Sequence, residues 1–473
     1  MPIRRSPNGA GHTRPQPGRD RSEQVVAINR NRWSQSIGIS GRDQSVRALY
    51  LKAKTEPDFR FYLLYDKVWR PDILRHAYRL AKANLGAPGV DGVTFAQIEA
   101  AGLDEWLAGI GKELRERTYR PEAVRRVMIP KPHGGERPLG IPTIRDRVVQ
   151  TAVKLVIEPI FEADLEPNAY GYRPKRSAGN AVAAVHGLLR RGYTDVVDAD
   201  LTKYFDTIPH DQLMRSVARR IVDKHILRLI KMWLKTPVEE TDKDGGKRLT
   251  GGKRSKLGTP QGGVISPLLA NVYMNRFLKY WRLTEQGRKL KAHVINYADD
   301  FVILSRGCAA EAKAWAAGVM SRLGLKLNET KTCLRNACKE RFDFLGYSFG
   351  PHYFPKDGQR YLGASPSKKS VARLKPRISA ILRRGNKDPW QAVCEDVNRV
   401  LMGWACYFNY GTCTSAYCAI DHHVATRVRR FLVERHRVSS HGTRCFADAN
   451  IFGELGVARL RKLQGRRPSC ASR

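Results

Sequence analysis

The chain has 473 residues, with 84 Lys and Arg against 45 Asp and Glu, a formal charge of +39. That length can bury the cores of two or more domains, and that charge suits a polyanion, foremost nucleic acid, whose counterions are released as phosphates are neutralised. No apolar run is long enough for a membrane helix, and the opening MPIRRSPNGAGHTRPQPGRDR lacks the apolar centre of a signal peptide, so membrane insertion and secretion are set aside.

Residues 1–45 are rich in Arg, Gly, Pro and Ser, and are expected to form a basic arm too poor in apolar residues to order itself. From Phe59 the pattern reads as helix, with Leu74, Ala77, Leu80 and Ala81 at helical spacing after Pro71. GAPGVDG ends it, and a second helix is expected over 95–114. Two strands, 127–129 and 139–141, flank the turn KPHGGER, and an amphipathic helix is expected over 144–160. TDVVDADL predicts a strand with Val196 and Val197 in the core, followed by a helix that Pro209 opens and that runs to about 221.

Residues 239–259 are polar and rich in Gly and Lys, so a hairpin or loop is expected there. Ser266 and Pro267 read as an N-cap and first-turn pair for a helix whose apolar face is Leu268, Leu269, Val272, Tyr273 and Phe277. HVINYADDFVILSR predicts a hairpin with Asp299 and Asp300 at its tip. A helix over 310–323 and the strand pair FDFLGYSFG follow. Beyond Ser367 the pattern is helical and strongly basic, with a stripe of Val371, Leu374, Ile378, Ile381 and Leu382, then helices over 390–407 and 417–434. Nine cysteines occur without a C-x-x-C pair. Cys333 and Cys338, or Cys413 and Cys418 followed by His422 and His423, have poor spacing for zinc; reduced thiols in a cytosolic protein fit better.

Asp200 ends one predicted strand, and Asp299 and Asp300 sit at the tip of another. Paired Asp at a turn is ordinarily a solvated turn. If the two strands are neighbours, however, three carboxylates meet and repel unless cations lie between them. Hard divalent ions prefer such oxygens, and two of them about 4 Å apart can drive phosphoryl transfer.

YADD (297–300), after DADLTKYFDTI (198–208) and GTPQGGVISPLLANVYM (258–274), resembles the palm of a reverse transcriptase. IPKPHGGERPLGIPTIRDRVVQ (129–150) and EPNAYGYRPKRSAGNAV (166–182) resemble the fingers of group II intron-encoded reverse transcriptase/maturases, GAPGVDG (86–92) their N-terminal extension, and NRVLMGWACYFNYG (398–411) their thumb. The resemblance implies an α+β right-hand polymerase: fingers and palm of antiparallel sheet plus helices, and an all-helical thumb. The implied divisions are an N-terminal extension over 46–115, fingers over 116–195, palm over 196–352, thumb over 365–437 and a short DNA-binding tail over 438–473. That tail carries no recognisable nuclease motif, which resembles the bacterial endonuclease-less members.

The resemblance further implies two Mg²⁺ ions held by Asp200, Asp299, Asp300 and the carbonyl of Leu201. Lys131 and Arg137 would grip the incoming triphosphate. Phe205 would act as the steric gate against ribose, Gln261 would stand beside sugar and base, and Lys331 would lie near the leaving pyrophosphate. Gly262 and Gly263 would let template backbone approach. The implied partners are intron RNA as template and splicing substrate, target DNA or primer, and deoxynucleoside triphosphates, in a ribonucleoprotein of the bacterial cytoplasm. A domesticated, retron-like or defence-associated reverse transcriptase, and a non-enzymatic RNA-binding splicing factor, share much of this pattern. The maturase-like thumb and the intact acids weigh against them, and YADD with Phe205 weighs against an RNA-templated RNA polymerase.

Overall fold

The computed structural model describes residues 41–130, 136–241, 246–260, 262–354, 357–439 and 441–463. The expected arm lies mostly outside them, as do Lys131, the middle of the KPHGGER turn and Gln261. The described N-terminal residues form α1 (Gly41–Thr55), α2 (Tyr65–Val68), α3 (Pro71–Ala83), α4 (Phe95–Ala100) and α5 (Leu103–Arg115). The residues just after Phe59 are not helical as expected. Phe61 instead bridges to Ile221, so its backbone is committed to a partner outside any helix. The single helix expected over 95–114 is two, broken at Gly102, whose φ of 103° no helix accommodates.

β1 (Val124–Pro130) and β2 (Glu136–Ile141) form the expected hairpin. α6 (Ile144–Asp164) follows, and it is buried on nearly every side rather than amphipathic. α1, α3 and the later helix over 266–283 pack around it, and Asp146 at its start is satisfied inside, accepting from Tyr119 Oη at 2.6 Å and from Glu122 N at 3.0 Å. After α7 (Ala178–Arg190) come β3 (Asp195–Asp200), the single turn α8 (Tyr204–Thr207), α9 (His210–Ala218) and α10 (Lys224–Leu234). The polar excursion is a hairpin, β4 (Pro237–Thr241) and β5 (Lys247–Gly251). Although it falls between palm segments in the chain, β4 pairs parallel with β1, giving a sheet ordered β2-β1-β4-β5. The hairpin therefore belongs physically with β1 and β2.

α11 (Ser266–Leu283) and α12 (Gln286–Lys289) lead into β6 (Ala292–Tyr297), β7 (Asp300–Ser305), α13 (Ala309–Arg322) and β8 (Cys333–Asn336). Ser266 is not the N-cap; Ile265 is, and the Ser266 hydroxyl donates to Pro260 O at 2.9 Å. The palm sheet is ordered β6-β7-β3-β8. Val197, Phe301 and Ile303 bury one face against α11 and α13; Val196, Ile295, Val302 and Leu304 bury the other with α7. A third sheet, β9 (Phe342–Phe344), β10 (Tyr347–Tyr353) and β11 (Arg360–Pro366), joins palm to thumb.

The segment expected as the thumb is α14 (Lys368–Ile381), α15 (Trp390–Tyr407) and α16 (Thr414–His436), helices that the apolar stripes predict. Part of the expected tail folds back on it. α17 (Asp448–Phe452) and residues 455–463 enter the same core through Ile451, Val457 and Leu460. Backbone N–H groups of Leu460 and Arg461 donate to the Asp421 carboxylate at 2.9 and 3.1 Å.

Candidate active site

β3 and β7 run antiparallel, and their register ends with Asp200 opposite Asp300. Asp300 also pairs with Tyr297 across the β6–β7 hairpin, leaving Ala298 and Asp299 as a two-residue turn. Such turns require a left-handed residue. Ala298 takes that conformation (φ 59°) although it is not glycine, and its methyl is buried. The strain, on the order of 1–3 kcal/mol, is held by what surrounds it. Asn296 Nδ2 donates to Ala298 O at 2.9 Å. The segment 168–171 lies alongside: Asn296 N donates to Asn168 O and Tyr170 N to Asn296 O, both at 2.9 Å. Gly171 approaches so closely that a Cβ there would lie 2.5 Å from Ala298 N, and Asn271 of α11 fixes its carbonyl at 2.7 Å.

The third acid is held from the other side. Lys331 Nζ lies 3.0 Å and Asn328 Nδ2 3.2 Å from Asp200 Oδ2, while Asn328 N donates to Asp200 O at 2.8 Å. Leu201 bridges to Leu327, and its side chain is buried. Phe205 is also buried (8% exposed), edge-on to Tyr172 and Tyr204. Arg137 stands on β2 opposite Ile129, and its charge reaches Asp299. Gly262, at φ 107°, is required by the protein itself: a Cβ would meet Gly140 O at 1.9 Å, so this glycine admits the β2 backbone rather than a template.

The acids crowd one another. Burial raises the Asp299 carboxyl above its ordinary range and the Asp200 charge adds to this, opposed by Arg137 and Lys331. Burial together with the charges of Asp299, Asp200 and Asp198 pushes Asp300 up to about 7. Asp300 nevertheless keeps a solvent-exposed face, where water screens these contributions. Burial lifts Asp198, also on β3, to about 6, with Asp343 and Asp200 contributing. Among the described residues no three His, Cys, Asp or Glu side chains already close into a metal cage. The donor set is nevertheless the kind that hard divalent cations take: clustered carboxylates whose mutual repulsion a cation relieves. The zinc alternative finds no support among the described residues. Cys413 Sγ donates to Phe408 O at 3.3 Å, and His423 Nε2 faces Lys375 O at 3.1 Å.

Residues 129–349 match the family model described as reverse transcriptase (RNA-dependent DNA polymerase), and residues 371–446 match the group II intron, maturase-specific domain. Protein YkfC of Escherichia coli K12 is 36% identical over 338 residues, covering 64% of this chain and 86% of that protein. The chain belongs to the group II intron-encoded reverse transcriptase/maturase family. LtrA, the group II intron-encoded protein of Lactococcus lactis, is 34% identical over 221 residues, which are 46% of this chain but 35% of that protein. The chain is therefore a reverse transcriptase, an RNA-directed DNA polymerase, and Asp200, Asp299 and Asp300 meet where β3 and the β6–β7 hairpin converge. Its maturase domain covers the helical thumb.

Sequence reasoning missed the residues that hold the three acids in place. Asn296 directly precedes YADD, Gly171 lies within the fingers motif, and Asn328 lies in the NETKT stretch that supplied Lys331. Their positions were in view, but only the contacts across sheets give them a role.

Proposed function

We propose that this protein copies intron RNA into DNA from a DNA primer, using deoxynucleoside triphosphates, and binds the same RNA to assist its splicing as a bacterial cytoplasmic ribonucleoprotein. The observation that carries the polymerase reading is the register of Asp200 against Asp300, with Asp299 in the adjoining turn. These carboxylates and the Leu201 carbonyl would hold two Mg²⁺ ions. Bound there, the ions would supply the Lewis acidity that lowers the pKa of the primer 3′-hydroxyl and offsets charge on the phosphoryl group.

The chain's own residues do the rest. Lys131 and Arg137 neutralise the triphosphate, Arg by a planar fork and Lys as a point charge. The buried Phe205 ring closes the floor under the sugar, Gln261 orients sugar and base, and Lys331 neutralises charge near the leaving pyrophosphate. The basic thumb helices meet RNA phosphates by charge and shape.

Replacing Asp299 with Ala is expected to abolish primer extension on an RNA template while RNA binding persists. Wild-type-like extension by that variant would reject the assignment.

A further inference from the structure

Phe205 sits on α8, a single helical turn that starts from left-handed Lys203 (φ 48°). One turn has no cooperative stability of its own, so the placement of the ring depends on what braces it. The brace is the segment 256–259, which lies along 205–210. His210 N donates to Lys256 O at 2.9 Å, Gly258 N to Ile208 O at 2.9 Å, and Thr259 N to Phe205 O at 2.6 Å. Gly258, at φ 86°, runs so close that a Cβ there would lie 3.0 Å from Asp206 O.

A side chain grips the same segment. His210 Nε2 is 2.6 Å from Gly258 O. A carbonyl only accepts, so Nε2 carries the proton. Nδ1 is buried with no hydrogen-bond partner among the described residues, so this imidazole makes one ring hydrogen bond and spends it here. The Gly258 carbonyl and the Thr259 N–H belong to a single peptide group. That group accepts from His210 at one end and donates to the Phe205 carbonyl at the other. Hydrogen bonds chained through one group polarise and orient each other.

We propose that His210 is a positioning residue for sugar selection. By holding the Gly258–Thr259 peptide it fixes the Phe205 backbone, and with it the height of the ring that excludes a ribose 2′-hydroxyl. The inference rests on Phe205 being the gate, and it extends that reading to a residue that touches neither sugar nor metal. Rejecting one hydroxyl depends on a displacement of a fraction of an ångström, so a gate on a single turn needs a fixed external anchor.

The test is single-nucleotide insertion by the full chain on an RNA template, comparing kcat/KM for a deoxynucleotide with that for its ribonucleotide. His210→Leu keeps the volume but cannot donate, and is expected to lower the discrimination ratio roughly tenfold through improved ribonucleotide use. His210→Ala serves the same purpose if Leu prevents folding. His210→Gln, whose amide can donate to the Gly258 carbonyl, is expected to keep the ratio within about threefold of wild type. General loosening of the fold would lower both efficiencies and leave the ratio unchanged, and that result overturns the role of His210. Phe205→Ala separates the two layers. If it leaves the ratio unchanged the gate itself is wrong; if it collapses the ratio while His210→Leu does not, only the anchor is wrong.

Discussion

The Lys331 ammonium lies 3.0 Å from Asp200 Oδ2, so a protein cation stands against the carboxylate proposed to bind metal. The pair is partly exposed, and its own contribution to stability is small. Its electrostatic effect on ion binding is larger, because a fixed positive charge competes with a divalent ion for the same oxygen. Lys331→Met is expected to lower the Mg²⁺ concentration for half-maximal primer extension roughly threefold to tenfold. Maximal extension should also fall, because charge on the leaving pyrophosphate is no longer offset. A magnesium titration of initial rates separates the two effects. A raised magnesium requirement would contradict the competition.

Gly171 and Ala298 provide the second prediction. A methyl at position 171 would meet backbone N of Ala298 at 2.5 Å, and that backbone already holds a left-handed alanine. Neither side is a flexible side-chain end, so Gly171→Ala must shift the turn that carries Asp299. Displacing catalytic groups by about an ångström costs on the order of a hundredfold in rate. Primer extension should fall by that order while RNA binding, proposed for the basic C-terminal helices, changes little. Equal loss of both would indicate global unfolding instead.

Much of this arrangement was legible before any coordinates. Alternating and continuous apolar runs located β3, β6 and β7, and the acids at their ends followed from the hairpin. The thumb helices followed from stripes such as Leu374, Ile378 and Leu382. What stayed hidden depends on contacts remote in sequence. The hairpin or loop expected over 239–259 gives no hint that β4 pairs with β1, more than a hundred residues earlier. α6 reads as amphipathic because Asp146 and Arg147 look like a solvent face, yet both are buried and bonded internally. Ser266 looks like a cap by position, but its hydroxyl is committed to Pro260 O.

Asp421 tests whether residues 455–463 are part of the thumb. Its carboxylate is buried and accepts two backbone N–H groups of that segment. Asp421→Ala leaves both donors without that partner, at a cost of about 1–3 kcal/mol each if they stay buried. The segment is expected to detach before the rest of the protein unfolds. Limited proteolysis should then cut within 448–463 in the variant under conditions that spare the wild type. Identical digestion patterns would mean that the apolar contacts of Ile451, Val457 and Leu460 suffice alone.

Glu158 lies on the buried helix α6, 3.5 Å from Lys154 through Oε1, with Oε2 buried and lacking a hydrogen-bond partner among the described residues. Burial raises its pKa, Glu162 adds to this, and Lys154 only partly opposes it. A carboxyl raised on folding is bound to its proton more tightly in the native state than in the unfolded chain. Its contribution is therefore fully present below the unfolded pKa and is lost as pH rises through the folded one. Glu158→Gln removes that loss while keeping the shape and one acceptor oxygen. The variant is expected to melt at a higher temperature than wild type above the ordinary carboxylate range, for example at pH 8. The difference should shrink towards pH 4, where wild-type Glu158 is itself protonated. Thermal unfolding of both proteins across that interval measures it directly. A variant less stable at pH 8 than at pH 4, relative to wild type, would mean that the Lys154 pair outweighs burial.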